Sequence, residues 1–154
     1  MRTLVVYDSQ FGNTQRVTQT IAETLQITDM MHVKQAAPQQ LSGLELLIVG
    51  SPTQRLNMTP AIANFLKAIP KGALDGVRVA AFDTRFTVEK IESIRMLPFF
   101  VRLFGYAAEK IARQLEAKGG IPAGDPGLFY VLNTEGPLLE GELKRAQKWA
   151  NSLI

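Results

Sequence analysis

Residues 3–14, TLVVYDSQFGNT, carry the pattern that decides the fold of this chain. The run Thr3–Tyr7 is apolar and rich in β-branched residues, which is typical of a buried strand. The segment Asn13–Leu25 places apolar side chains at helical spacing and is predicted to be an amphipathic helix. A strand that enters a helix through the polar loop Ser9–Thr14 is the opening half of a βαβ unit.

The rest of the chain repeats this alternation of short apolar runs and longer segments of helical period, which predicts a doubly wound α/β domain with a parallel sheet. The predicted strands are Thr3–Tyr7, Met31–Lys34, Leu46–Val49, Val77–Phe82 and Leu128–Leu132. The later helices are predicted at Pro60–Ile69, Ala107–Lys118 and Gly141–Leu153, and the second crossover, Pro38–Leu44, is short and weakly helical. No repeat or linker divides residues 1–154, so we predict a single domain.

Composition narrows the class of protein. The chain has 154 residues, of which 46% are hydrophobic and 20% charged, as in an ordinary globular domain. It has no cysteine, which excludes disulfides, thiolate metal sites, iron–sulfur clusters and cysteine nucleophiles. The net charge of +3 is small and scattered, so no nucleic-acid partner is expected. No apolar stretch is long enough to span a bilayer and no leader pattern precedes the first strand, so we expect a cytoplasmic protein without a membrane partner.

The loop Ser9–Thr14 has the chemistry of an anion site. In a doubly wound sheet, ligands bind beyond the carboxyl ends of the strands, and this loop lies there at the start of a helix. Successive backbone N–H groups and the positive helix end attract an anion, and Gly12 allows close approach. The fingerprints of triphosphate and dinucleotide loops are absent from the sequence. A single phosphate group is therefore the expected ligand.

These residues resemble the phosphate loop of flavodoxins, whose usual form is Thr or Ser, any residue, Thr or Ser, Gly, Asn, Thr. Phe11 departs from that form because it replaces a hydroxyl residue. The resemblance covers most of the chain and implies a flavodoxin-like three-layer sandwich with a five-stranded parallel sheet in the order 2-1-3-4-5. It also implies that FMN is the cofactor and that the loops after strands three and four flank its ring. The implied cofactor-binding residues are Ser9, Gln10, Phe11, Gly12, Asn13, Thr14, Ser51, Pro52, Thr53, Gln54, Arg55, Asp83, Thr84 and Arg85.

The resemblance implies a redox protein, and its exact role stays open between alternatives. Electron transfer to a protein partner or a small-molecule acceptor is the first expectation. An FMN-dependent NAD(P)H:acceptor reductase acting on a quinone or similar acceptor is the second, and a flavin-free interaction protein with this fold is the third. The ring loops lack the Trp or Tyr usual in electron carriers, so Phe86 or an aromatic residue of the 99–106 region is expected to stack on the flavin. Arg55 and Arg85 are expected to favour the reduced flavin by their charge.

The connection Phe86–Gly105 is longer than the others and strongly apolar between Met96 and Tyr106. So apolar a stretch is expected to be buried, and Pro98 is expected to interrupt any helix. We predict that the 96–106 segment forms a homodimer interface or packs internally, rather than a lid or a membrane contact. His32 is expected to be a surface or edge residue without a catalytic role.

Overall fold

The first strand and the first helix have the bounds that the sequence predicts. The computed structural model describes residues 1–27 and 29–154, without the side chains of Leu103 and Phe104. Its strands are β1 (Thr3–Tyr7), β2 (Asp29–His32), β3 (Leu46–Pro52), β4 (Arg78–Phe86), β5 (Ile121–Pro122) and β6 (Gly127–Val131). Its helices are α1 (Asn13–Leu25), α2 (Pro60–Ala68), α3 (Val88–Ser93), α4 (Leu97–Phe104), α5 (Ala107–Ala117) and α6 (Glu142–Asn151), with two short 3₁₀ turns at Val33–Gln35 and Pro38–Leu41.

The sheet is parallel and has the order β2-β1-β3-β4-β5, with β6 also paired to β4. The predicted order 2-1-3-4-5 is confirmed, but the fifth position is divided between two strands. β5 pairs with Arg78 and Val79, and β6 pairs with residues 82–86. Residues 123–126 separate them and end in Pro126, which has no N–H to donate to a ladder.

Helices cover both faces of the sheet. Neighbouring residues along each strand point to opposite faces, so each strand contributes to both cores. Val5, Ile48 and Phe82 belong to the core under α1 and α6. Val6 and Val49 belong to the core under α2 and α5. The result is the predicted three-layer arrangement, in which the carboxyl ends of β1, β3 and β4 meet at one edge of the sheet.

Strand β4 continues four residues beyond its predicted end. The predicted strand ends at Phe82, and the prediction leaves Asp83, Thr84 and Arg85 in the following loop. The structure pairs Asp83 and Thr84 with the end of β3, and pairs residues 82–86 with β6. Polar residues remain in the strand because β3 pairs with it as far as Thr84 and β6 continues the pairing as far as Phe86. Their side chains therefore have fixed directions that alternate between the two faces.

The connection after β4 forms two short helices instead of an extended segment. Pro98 is the second residue of α4, where it does not interrupt a helix because its missing N–H is not needed in the first turn. The expected burial is not found within the single chain, since Met96 is 56% exposed and Phe99 is 55% exposed. The side chain of Phe104, part of the same expectation, lies outside the described residues.

In the part of the chain that the structure describes, no helix is both long and apolar enough to cross a membrane.

Candidate functional site

The loop after β1 is folded by one serine and one glycine. The Ser9 hydroxyl oxygen accepts hydrogen bonds from the backbone N–H groups of Gly12 (3.2 Å) and Gln15 (3.3 Å). Gly12 immediately precedes α1 and has a φ of 92°, a left-handed conformation that costs glycine little and other residues more. The loop is thus closed on itself before any ligand binds.

Four backbone N–H groups of this loop remain available. Within residues 1–27 and 29–154, the N–H groups of Gln10, Phe11, Asn13 and Thr14 donate no hydrogen bond to the protein. They lie at the positive end of a 13-residue helix. Unpaired donors at a helix N-terminus, arranged on a turn, form a site that favours a negatively charged group.

Side chains connect this loop to the rest of the sheet edge. The Thr14 and Thr84 hydroxyl groups are buried and lie 2.9 Å apart, which joins α1 to β4. The Gln54 amide donates to the side-chain oxygen of Gln10 and so joins the first loop to the loop after β3. The Asn13 amide donates to the Glu135 carbonyl (3.1 Å), in the loop that follows β6. Four segments of the chain therefore meet around the phosphate loop.

The base of the loop carries an aspartate–histidine contact that the sequence gives no reason to expect. Asp8 Oδ1 accepts the Ser9 N–H (2.8 Å) and lies 3.1 Å from His32 Nε2. His32 Nδ1 accepts the Lys34 N–H (3.2 Å), which leaves Nε2 to donate to Asp8. His32 is half-buried at the end of the edge strand β2, as expected of an edge residue, and the carboxylate that orients it belongs to Asp8, the residue after β1.

The loop after β3 is a tight hairpin whose tip has an unusual conformation. Gln54 and Asn57 exchange backbone hydrogen bonds of 2.8 and 2.9 Å. The two residues between them, Arg55 and Leu56, have φ values of 49° and 63°, a turn in which glycine or asparagine is preferred. The Lys110 ammonium group donates to the Leu56 carbonyl (2.7 Å) and holds the tip against α5. Strained backbone conformations of non-glycine residues cluster at active sites and ligand clamps, so this hairpin is a candidate binding element.

A cleft of about 810 Å³ opens between these loops. Its lining includes most of the predicted residues, together with residues that the sequence analysis missed. The predicted residues on its walls are Ser9, Gln10, Phe11, Asn13, Thr14, Pro52, Thr53, Gln54, Arg55, Thr84 and Arg85. Phe86, expected as a stacking residue, also lines the cleft, and the residues that were not predicted are Asn57, Met58, Pro60, Val131 and Thr134. Val131 and Thr134 come from the end of β6 and the loop after it, which a rule based on the ends of parallel strands would also have included.

Three predicted residues lie outside the lining of this cleft. Gly12 contributes to a separate concavity on the other side of Phe11. Ser51 is fully buried, and its hydroxyl oxygen accepts the Thr59 N–H (3.0 Å) and so fixes the far end of the hairpin loop. Asp83 is fully buried beneath the cleft wall. Contact of these three residues with a ligand stays a prediction.

Asp83 and Arg85 form an ion pair inside the protein. Arg85 Nε and Nη2 donate to the two Asp83 oxygens at 2.8 and 2.7 Å, and Nη2 also lies 3.0 Å from Glu109. Asp83 accepts two further hydrogen bonds, from the Thr53 hydroxyl (3.1 Å) and the Ala108 N–H (2.9 Å). The geometry is the two-pronged contact that arginine makes best with a carboxylate.

The protonation of this pair follows from its surroundings. Burial raises the pKa of the Asp83 carboxyl above its usual value, against the lowering effect of the Arg85 hydrogen bonds and charge. Burial alone would lower the pKa of Arg85, but its bonds to Asp83 and the charge of Glu109 raise that pKa overall. Arg85 is therefore a permanent cation beside the cleft.

Comparisons with known proteins identify the class that this fold and cleft define. The profile of the flavodoxin domain matches residues 4–123, and the chain belongs to this family. No curated protein matches the chain in sequence. Membership of the flavodoxin family implies that the cofactor of this chain is a flavin.

Solved structures confirm the fold at low sequence identity. Oxidised flavodoxin 1 from Bacillus cereus superposes with a TM-score of 0.77 at 13% identity, over 99% of this chain and 97% of that one. The rubredoxin oxygen:oxidoreductase from Desulfovibrio gigas gives 0.73 at 19% identity, over 99% of this chain and 35% of that one. A WrbA-like flavodoxin protein from Agrobacterium tumefaciens gives 0.67 at 16% identity, over 99% and 94%.

The residues present fit a flavin phosphate. Its negative charge matches the four unpaired N–H donors at the start of α1, and no carboxylate oxygen is placed among the cleft-lining side chains. The cleft volume lies within the range of about 300–1,000 Å³ that is typical of small-molecule sites. Phe86 lines the cleft and is half-buried, so an aromatic face is available for a ring system.

Proposed function

We propose that this protein binds FMN in the cleft and transfers electrons. The observation that carries the proposal is the array of unpaired N–H donors of Gln10, Phe11, Asn13 and Thr14 beside an open cleft. When bound, FMN supplies one- and two-electron redox chemistry. The protein's own residues bind the phosphate, orient the ring and limit its contact with water.

Each segment around the cleft has a proposed part in binding. The loop Ser9–Thr14 holds the phosphate, and the hairpin Gln54–Asn57 covers one side of the ring. Phe86 is the proposed stacking residue, since it is the aromatic side chain that extends the wall formed by β4. The Gln10–Gln54 contact keeps the phosphate loop and the hairpin at a fixed separation. A cleft arranged in this way before binding reduces the entropy lost on association.

The electron donor and acceptor belong to the same proposal. We expect a redox partner protein or a small-molecule acceptor in the cytoplasm. If the purified protein oxidises NAD(P)H steadily with a quinone as acceptor, it acts as a reductase instead of a carrier. Cell fractionation tests the location.

The test compares FMN with riboflavin, which has the same ring and lacks the phosphate. Apoprotein is titrated with each compound, and quenching of flavin fluorescence gives the two dissociation constants. Each hydrogen bond to a charged group contributes about 1.5–3 kcal/mol, so we expect FMN to bind at least tenfold more tightly. Equal affinities would place the phosphate elsewhere, and failure of both compounds to bind would favour the flavin-free interaction protein.

A redox assay completes the test. The FMN complex is reduced with dithionite, freed of excess reductant under anaerobic conditions and mixed with ferricyanide. Each bound flavin gives up two electrons, so two ferricyanide ions should be reduced per flavin. A complex that binds FMN but reduces no ferricyanide would contradict an electron-transfer role.

A further inference from the structure

One side of the Arg85 guanidinium is used for internal contacts and the other is not. Nε and Nη2 donate to Asp83 and Glu109, whereas Nη1 donates no hydrogen bond to any described residue. The side chain is only 5% exposed, and yet Arg85 is part of the cleft lining. In the described part of the chain, the buried side-chain polar atom that lacks a partner is Thr3 Oγ1, and not Arg85 Nη1. Because Nη1 also has no partner, it is accessible to solvent. The cleft is the opening that Arg85 lines.

The internal contacts hold the guanidinium in one orientation. Asp83 binds two of its nitrogens, and Asp83 is itself fixed by Thr53 and by the first turn of α5. The central carbon of the guanidinium lies over the Tyr106 ring, 3.7 Å from the ring centre. Glu109 adds a second carboxylate from α5, with its side chain 40% exposed. An arginine that only stabilised the fold would not need one donor group left open toward a ligand cleft.

We propose that Arg85 is the cation that faces the flavin ring through Nη1, and that Asp83, Tyr106 and Glu109 are positioning residues that hold its guanidinium. This inference rests on the proposed function. Reduction of the ring by two electrons with uptake of one proton leaves one additional negative charge. A fixed guanidinium with an unused N–H pair stabilises that charge without reorganising, because its orientation is set before the electrons arrive.

The charge that lines the cleft then biases the equilibrium between oxidised and reduced flavin, because Arg85 is part of the lining whereas the Asp83 carboxylate is fully buried behind it. Glu109 lies against Nη2 and partly offsets the cation. Neutralising Glu109 removes a carboxylate that offsets the cation, whereas replacing Arg85 together with Asp83 leaves the summed charge unchanged but removes the cation that lines the cleft. The two changes should therefore shift the equilibrium in opposite directions.

The test is the two-electron midpoint potential of the FMN complex, measured by dye-equilibrated reduction at fixed pH and ionic strength. Glu109→Gln should favour reduced flavin at least threefold. The double variant Asp83→Asn with Arg85→Met removes the nearer, positive end of the ion pair and should favour oxidised flavin at least threefold, or about 14 mV for a two-electron couple. Both residues are changed together because a lone buried Asp83 carboxylate would destabilise the fold. Lys144→Gln, an exposed charge change on α6, is the matched control and should leave the potential unchanged.

The outcomes separate this inference from the proposed function. If the unmodified protein binds no FMN, the proposed function fails and the inference with it. If FMN binds to every variant but all potentials agree with the Lys144→Gln control within twofold, the inference is wrong and FMN binding stands. If the double variant does not fold, Glu109→Gln decides the question, since its carboxylate is partly exposed and its loss leaves the Asp83–Arg85 pair intact.

Discussion

Replacing Gly12 by valine should weaken FMN binding through the backbone of the phosphate loop. Gly12 has φ 92° and ψ −8°, a conformation that a β-branched residue adopts only under strain. A Cβ atom built at this position meets no protein atom within 4 Å, so a clash with the rest of the protein is not the reason for the effect. The strain acts on the chain between Ser9 and α1, where the unpaired N–H donors lie.

The expected size follows from two contributions. A non-glycine residue in a sparsely populated backbone region costs about 1–3 kcal/mol. The loop relieves this strain by rotating away from positive φ, which turns the N–H groups of Asn13 and Thr14 from their common target. Loss of one hydrogen bond to a charged group costs about 1.5–3 kcal/mol. We therefore predict at least a tenfold loss of FMN affinity, or about 1.4 kcal/mol.

The chain provides a closely matched control. Gly141 directly precedes α6 with φ 86° and ψ −7°, and a Cβ atom there also meets nothing within 4 Å. Gly141→Val should therefore lower thermal stability about as much as Gly12→Val while leaving FMN affinity unchanged. Fluorescence titration with FMN and riboflavin measures the effect, and riboflavin binding should change less than FMN binding. If Gly12→Val and Gly141→Val bind FMN equally well, the phosphate does not rest on this loop.

Two further predictions concern the core and the α4 surface. Gly50→Ala should lower the free energy of unfolding by about 2 kcal/mol or more, because a Cβ atom at Gly50 would lie 2.1 Å from Phe82 Cζ and overpack the core. A urea titration measures this change, and an unchanged unfolding midpoint would contradict the packing. The 96–106 segment is predicted to form a homodimer interface, because Met96 and Phe99 are exposed and apolar. Met96→Ser with Phe99→Ser should therefore give a monomer in light scattering and retain FMN affinity. An unaltered assembly that has lost FMN would identify the segment as a lid.

The sequence by itself determined the elements whose signals are local. Strand β1 and helix α1 have their predicted bounds, because an apolar β-branched run and a 3.6-residue period act within each segment. The order of the sheet was implied by the resemblance of the phosphate loop to that of flavodoxins, and the structure confirms it. The ends of the later strands did not follow, because a strand continues as long as its neighbours can pair with it. The polar end of β4 is a strand because β3 pairs with it as far as Thr84 and β6 as far as Phe86.

The site divides in the same way. The phosphate loop could be predicted because its serine, glycine and helix start lie within six consecutive residues, and the structure closes it with hydrogen bonds from the Gly12 and Gln15 N–H groups to the Ser9 hydroxyl oxygen. The contacts of Arg85 could not be predicted from the sequence. Its position inside β4, its pairing with Asp83 and its contacts with Tyr106 and Glu109 bring together residues up to 24 positions apart. Pairing of the strands and docking of α5 determine those contacts, so only the tertiary structure could turn a surface-type residue into a buried cation at the cleft.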